Sequence, residues 1–88
     1  MKLKNKIAII TGGGKGIGKE ICLGLANEGA KIIIADLDKE NSSNVVETII
    51  QNGGDAVFVE TNVSSEQSVK NLITKSINKF NQIDILIN

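Results

Sequence analysis

The sequence predicts an α/β fold, a parallel sheet covered by helices, and three observations carry the prediction. Four short apolar runs recur along the 88 residues, separated by three longer stretches with apolar positions at helical spacing. The runs are almost continuously apolar rather than alternating, as in strands buried on both faces. The connections between them are short, and strands joined through helices lie parallel.

Taken in order, Lys6-Ile7-Ala8-Ile9-Ile10 reads as the first strand and leads into Thr11-Gly12-Gly13-Gly14-Lys15-Gly16-Ile17-Gly18. Ile17, Ile21 and Leu25 then recur every four residues, with Cys22 and Ala26 beside them, and predict a helix for which Gly29 is a natural C-cap. Lys31-Ile32-Ile33-Ile34-Ala35 is the second strand, ending in Asp36-Leu37-Asp38. From Lys39 the chain turns polar, and the pairs Val45-Val46 and Ile49-Ile50 mark a second helix closed by Asn52-Gly53-Gly54. Ala56-Val57-Phe58-Val59 is the third strand, continuing to about Glu60. Ser64 and Gln67 suit a capping box opening a third helix, with Val69, Leu72, Ile73, Ile77 and Phe80 as its apolar positions. Ile83-Asp84-Ile85-Leu86-Ile87 is the fourth strand. Right-handed crossovers restrict the topology, and the expected strand order is 3-2-1-4, a Rossmann-type sheet with the glycine turn at its switch point. The same pattern would also clothe a flavodoxin-like sheet, because periodicity fixes the class better than the topology.

Ten basic and ten acidic residues give zero formal net charge, which offers no electrostatic case for nucleic acid or an anionic membrane. The run after Lys2, Lys4 and Lys6 is too short for a signal-peptide core or a membrane span. One cysteine excludes an internal disulfide, and its place on an apolar helix face suits a buried thiol in a reducing cytoplasm, the expected compartment. Two Phe and no Trp or Tyr leave no stacking platforms for bases, and no metal-ligand cluster stands out.

A strand that turns through glycines into a helix N-terminus makes an anion site. The first-turn N–H groups lack intrahelical partners, the helix dipole adds positive charge, and glycines admit a phosphate without a Cβ in its way. The fingerprint G-x-G-x-x-G fits in no register, since from Gly12 its third glycine would fall on Ile17. A Walker A loop nearly fits from Gly13 to Gly18-Lys19, but Glu20 stands where a hydroxyl must meet Mg²⁺, and a carboxylate there would repel a triphosphate. What fits is T-G-x-x-x-G-x-G, through Thr11, Gly12, Gly16 and Gly18. Glycines also serve ordinary tight turns, so other landmarks matter. Asp36, twenty residues after Gly16, ends the second strand, where a carboxylate can accept from adenosine ribose hydroxyls and repel the extra phosphate of NADP. It could equally be a solvated loop carboxylate or a helix N-cap, and Asp38 could fill either part.

In spacing and order these landmarks resemble the short-chain dehydrogenase/reductase family, whose cofactor is NAD or NADP. The resemblance covers about residues 3 to 88 and implies that residues 1–88 form the N-terminal part of a single NAD(P)-binding Rossmann domain. It implies that Gly12, Gly14, Lys15, Gly16, Ile17 and Gly18 hold the cofactor with Asp36 and Leu37, with Gly16 and Gly18 allowing no side chain. In this family a basic residue at the place of Lys15 often holds the NADP phosphate. Lys15 could instead be solvated or near the pyrophosphate, and the fixed charge of Asp36 favours NAD over NADP. The turn Thr61-Asn62-Val63 is implied to flank the adenine, with Asn62 replacing the usual acid. An amide can still bond the adenine edge, and an Asx-turn leading into Ser64 is compatible with that role. Asn88 matches the first Asn of the family's Asn-Asn-Ala-Gly segment.

The family's catalytic Ser, Tyr and Lys follow strand four. No tyrosine or histidine exists in these 88 residues, so no Tyr-x-x-x-Lys pair is present and no imidazole replaces it. The expectation is therefore the cofactor half of an oxidoreductase. The intact protein, a homo-oligomer, would move a hydride between nicotinamide and a secondary alcohol or ketone. A non-catalytic dinucleotide-binding or sensor module is the alternative, and a P-loop hydrolase fits less well. Alone, the chain is expected to be inert and marginally stable, with the outer edge of its last strand unpaired.

Overall fold

The computed structural model describes residues 2–88. They form β1 (Ile7–Thr11), α1 (Gly16–Asn27), β2 (Lys31–Asp36), α2 (Lys39–Gln51), β3 (Ala56–Glu60), α3 (Glu66–Phe80) and β4 (Ile85–Ile87). The four strands make one parallel sheet in the order β3-β2-β1-β4. This is the expected Rossmann order. A flavodoxin-like sheet would place β3 beside β1, where β4 lies here.

The two central strands explain the continuous apolar runs. Residues 7–10 of β1 and 32–35 of β2 are all buried, and successive side chains serve opposite faces. Ala8, Ile10, Ile32 and Ile34 meet Cys22 of α1 and Val45 and Ile49 of α2. Ile7, Ile9, Ile33 and Ala35 meet Leu72 of α3 on the other face. Ile17 belongs to neither cluster and is 81% exposed, so the expected α1 stripe begins at Ile21. Among the described residues, no helix is long and apolar enough to cross a membrane.

Two boundaries differ from expectation, each for a local reason. Ser65, not Ser64, caps α3, its hydroxyl accepting the Ser68 N–H at 3.2 Å. The Ser64 N–H instead donates to Asn62 Oδ1 at 3.0 Å, an Asx-turn that keeps Ser64 outside the helix. Strand β4 begins at Ile85 rather than Ile83. Ile83 packs against the α3-side cluster. Asp84 uses its carboxylate to accept the Ile7 N–H at 2.8 Å, while its own N–H donates to the Ile7 carbonyl at 2.9 Å. Hydrogen bonds from β1 to Asp84 and, at the far end, from Thr11 Oγ1 to the Ile87 carbonyl at 3.3 Å bracket the β1–β4 pairing.

Cys22 is wholly buried beneath the glycine turn, its thiol directed to the Gly13 carbonyl at 3.8 Å. Burial pushes the thiol up to about 11 from 9.0, with the backbone contact opposing in part. The folded state therefore holds a proton that the unfolded chain releases. Its contribution to stability is whole below pH 9 and is lost as pH rises toward about 11. Cys22→Ala should remove that part of the alkaline instability, read from denaturation midpoints between pH 8 and 11. At the sheet centre, Ile33→Val should cost about 1 kcal/mol, lowering the urea midpoint without changing the slope.

Candidate functional site

The turn after β1 is built by contact. A Cβ on Gly18 would run into the Gly12 carbonyl, whose carbon would lie 2.9 Å away, so the start of α1 rests directly on the backbone it has just left. Gly16 is different. A Cβ there meets nothing within 4 Å, and what calls for glycine is its φ of +55°. Gly18 thus lacks room against the protein itself, while at Gly16 the space beside the backbone is open and the positive φ is a further reason for glycine. Lys15, the N-cap, makes no side-chain capping bond, and the first intrahelical bond runs from Lys19 N–H to the Lys15 carbonyl at 3.1 Å. The N–H groups of Gly16, Ile17 and Gly18 precede it and remain available to an anion.

Beside this turn stands Asp36, the last residue of β2. Its Oδ2 accepts the Gly14 N–H at 3.2 Å and its Oδ1 the Asp38 N–H at 3.1 Å. One carboxylate therefore ties the glycine turn to the loop after β2. Asp38 takes the N-cap of α2, accepting the Asn41 N–H at 3.1 Å and the Asn41 amide at 2.6 Å. These Asn41 bonds, led by the side-chain amide, hold its carboxyl below the usual range. Lys15 reaches Asp38 Oδ2 at 3.3 Å, a partly exposed ion pair rather than a solvated cation.

Gly12, Asp36, Leu37, Asn62 and Val63 line one open cleft of about 380 Å³ at the carboxyl end of the sheet, together with Thr11, Ala35, Thr61 and Ser64. Leu37 and Val63 are both 61% exposed, two apolar side chains left in water. Gly16 and Ile17 border a separate shallow depression on α1. Asn88 follows Ile87 and is not among the cleft residues.

One contributor escaped the sequence reading, and another, Thr61, was read only as part of the turn after the third strand. Thr61 is buried at the end of β3, its hydroxyl donating to the Val59 carbonyl at 2.9 Å. Ser42 is wholly buried on α2 against Gly14, where a Cβ would stand 2.8 Å from its Oγ, and that hydroxyl has no hydrogen-bond partner. Its spacing to Val45 and Ile49 was the available signal.

Two of the α1 glycines, Gly18 and Gly24, provide a direct contrast. Gly18→Ala should unseat the turn and lower the melting temperature sharply. Gly24→Ala, where a Cβ meets nothing, should raise stability by about 0.5–1 kcal/mol through helix propensity. Thermal melts of the two variants read both outcomes.

Known proteins share both the sequence pattern and this arrangement. The short chain dehydrogenase family model matches residues 6–88. An uncharacterized oxidoreductase from Thermotoga maritima is 40% identical over 86 residues, which are 98% of this chain and 34% of that protein. The 7alpha-hydroxysteroid dehydrogenase of Escherichia coli K12 is 40% identical over 88 residues, all of this chain and 34% of that enzyme. A short-chain dehydrogenase/reductase from Burkholderia phymatum, solved in complex with NAD, superposes with a TM-score of 0.92 at 29% identity, covering 98% of this chain and 31% of that one. The chain thus spans about a third of the length of the relatives it matches. With the family model matching residues 6–88 and relatives 40% identical across the chain, the chain belongs to the short-chain dehydrogenase/reductase family.

Proposed function

We propose that the chain forms the adenosine and pyrophosphate side of an NAD site. The oxidoreductase it serves moves a hydride between the nicotinamide and a secondary alcohol or ketone. The observation that carries this reading is Asp36, a carboxylate fixed by two backbone N–H groups at the lip of a cleft, next to the free amides that open α1. Relatives support it: the Burkholderia phymatum protein was solved with NAD, and a hydroxysteroid is a secondary alcohol.

The residues fit such a ligand. The amides of Gly16, Ile17 and Gly18 receive the pyrophosphate, and the open space beside Gly12 and Gly16, where a Cβ would meet nothing within 4 Å, leaves the backbone free for it. Asp36 accepts from the ribose hydroxyls, with its orientation already set before binding. Leu37 and Val63 offer apolar contact to the faces of the adenine. Because Asn62 Oδ1 accepts the Ser64 N–H, its amide NH₂ is the donor left for the adenine edge. Asn88, at the end of β4, lies toward the nicotinamide side in this reading. Bound NAD would supply the hydride acceptor, and NADH the donor. With no tyrosine or histidine, these 88 residues bind and orient and are assigned no proton transfer. The second reading is a dinucleotide-binding module without catalysis, and NADH oxidation with a ketone by the intact protein separates the two.

Calorimetric titration of NAD into the intact protein tests the site. Binding is expected, with Asp36→Ala weakening it about tenfold through loss of a charged acceptor, and with discrimination against NADP reduced. Absence of NAD binding, or an affinity indifferent to Asp36→Ala, overturns the assignment.

A further inference from the structure

Asp36 and Asp38 lie two residues apart but face different duties. Asp36 is tied to the turn through the Gly14 N–H and presents itself to the cleft. Asp38 is locked into the cap of α2 by both donors of Asn41, one on each carboxylate oxygen. The oxygen that takes the Asn41 amide, Oδ2, is also the one that holds Lys15 Nζ at 3.3 Å. Lys15 is the cation within the glycine turn, directly after the residue whose N–H holds Asp36. A phosphate ester on the ribose hydroxyl received by Asp36 would therefore look to Lys15 for its counter-charge.

The geometry points to Asp38 as a residue that sets cofactor selectivity by keeping Lys15 occupied, so that a 2′-phosphate meets two carboxylates and a lysine already engaged. This inference rests on the NAD reading above and goes beyond it in assigning selectivity to a pair rather than to Asp36 alone. The lysine follows the carboxylate, not the reverse, because the cap fixes Asp38 while Lys15 is a long side chain, 71% exposed. The carboxylate is itself 31% exposed, so the pair is solvent-screened and its hold on Lys15 is modest. That modest strength makes the device adjustable by one substitution.

Asp38→Asn removes the charge and keeps a side-chain oxygen for the Asn41 N–H, Asn being as good an N-cap as Asp. Affinities for NAD and NADP are measured at low salt on wild type, Asp38→Asn, Lys15→Ala and the double variant, with weak NADP binding read by competition against NAD. Asp38→Asn should shift the NADP-to-NAD affinity ratio about fivefold toward NADP. Lys15→Ala alone should move the ratio by less than about twofold, and adding it to Asp38→Asn should abolish the gain. Asp38→Ser, which also caps without charge, repeats the measurement if the Asn variant loses helix by circular dichroism. An unchanged ratio in the uncharged variants overturns the inference, as does a gain that survives in the double variant. Failure of the wild type to bind NAD overturns the underlying site as well, which distinguishes the two.

Discussion

At Gly18 the first turn of α1 lies so close to the Gly12 carbonyl that no side chain fits between them, and the rest of the site is arranged by that approach. With α1 seated there, Cys22 comes up under Gly13, and a Cβ on Gly13 would stand 3.0 Å from Ile34 of β2. Gly14 is then brought against Ser42 of α2 and within reach of Asp36. Three consecutive glycines thus take their neighbours from α1, β2 and α2 in turn. A bulkier turn would lift the helix off the sheet and separate the amides of α1 from the carboxylate of β2.

Electrostatically the site is asymmetric. The start of α1 contributes partial positive charge through unpaired amides, which do not move and carry no side-chain entropy. Formal charges are paired or tied: Lys15 to Asp38, Asp38 to the cap of α2, Asp36 to two backbone N–H groups. The carboxylate facing the cleft is thereby rigid, and the lysine of the glycine turn is partnered. Ser42 is the exception to this economy, a buried hydroxyl without a partner. Such a group costs about 1–3 kcal/mol.

Most of the fold was legible because the central strands are buried on both faces, and a run such as Ile32-Ile33-Ile34 has few other uses in so short a chain. Asp36 was legible for a related reason: the end of an unmistakable strand fixes the place of the next carboxylate. The misreadings arose where one residue type serves two purposes. Ile83 is apolar enough to extend β4, yet it packs without pairing. Ser64 and Ser65 are equivalent as caps until the Asn62 side chain claims one of their N–H groups. The positive φ of Gly16 leaves no mark in the spacing of the glycines. The engagement of Lys15 depends on where α2 begins in space, which no local spacing encodes.

Thr11 and Ile87 are 76 residues apart, and Ile7 and Asp84 are 77. The strand nearest the centre of the sheet therefore has partners of very different reach: β2 through a single short crossover, β4 only after almost the whole chain has intervened. Local pairings close quickly and remote ones slowly, because the entropy of closing a long loop comes before any contact offsets it. During folding the unit from β1 to β2, with α1 across it, can set the glycine turn and Asp36 well before β4 arrives. The glycine turn and the carboxylate of β2 are then in place early, while the edge of β1 toward β4 stays open.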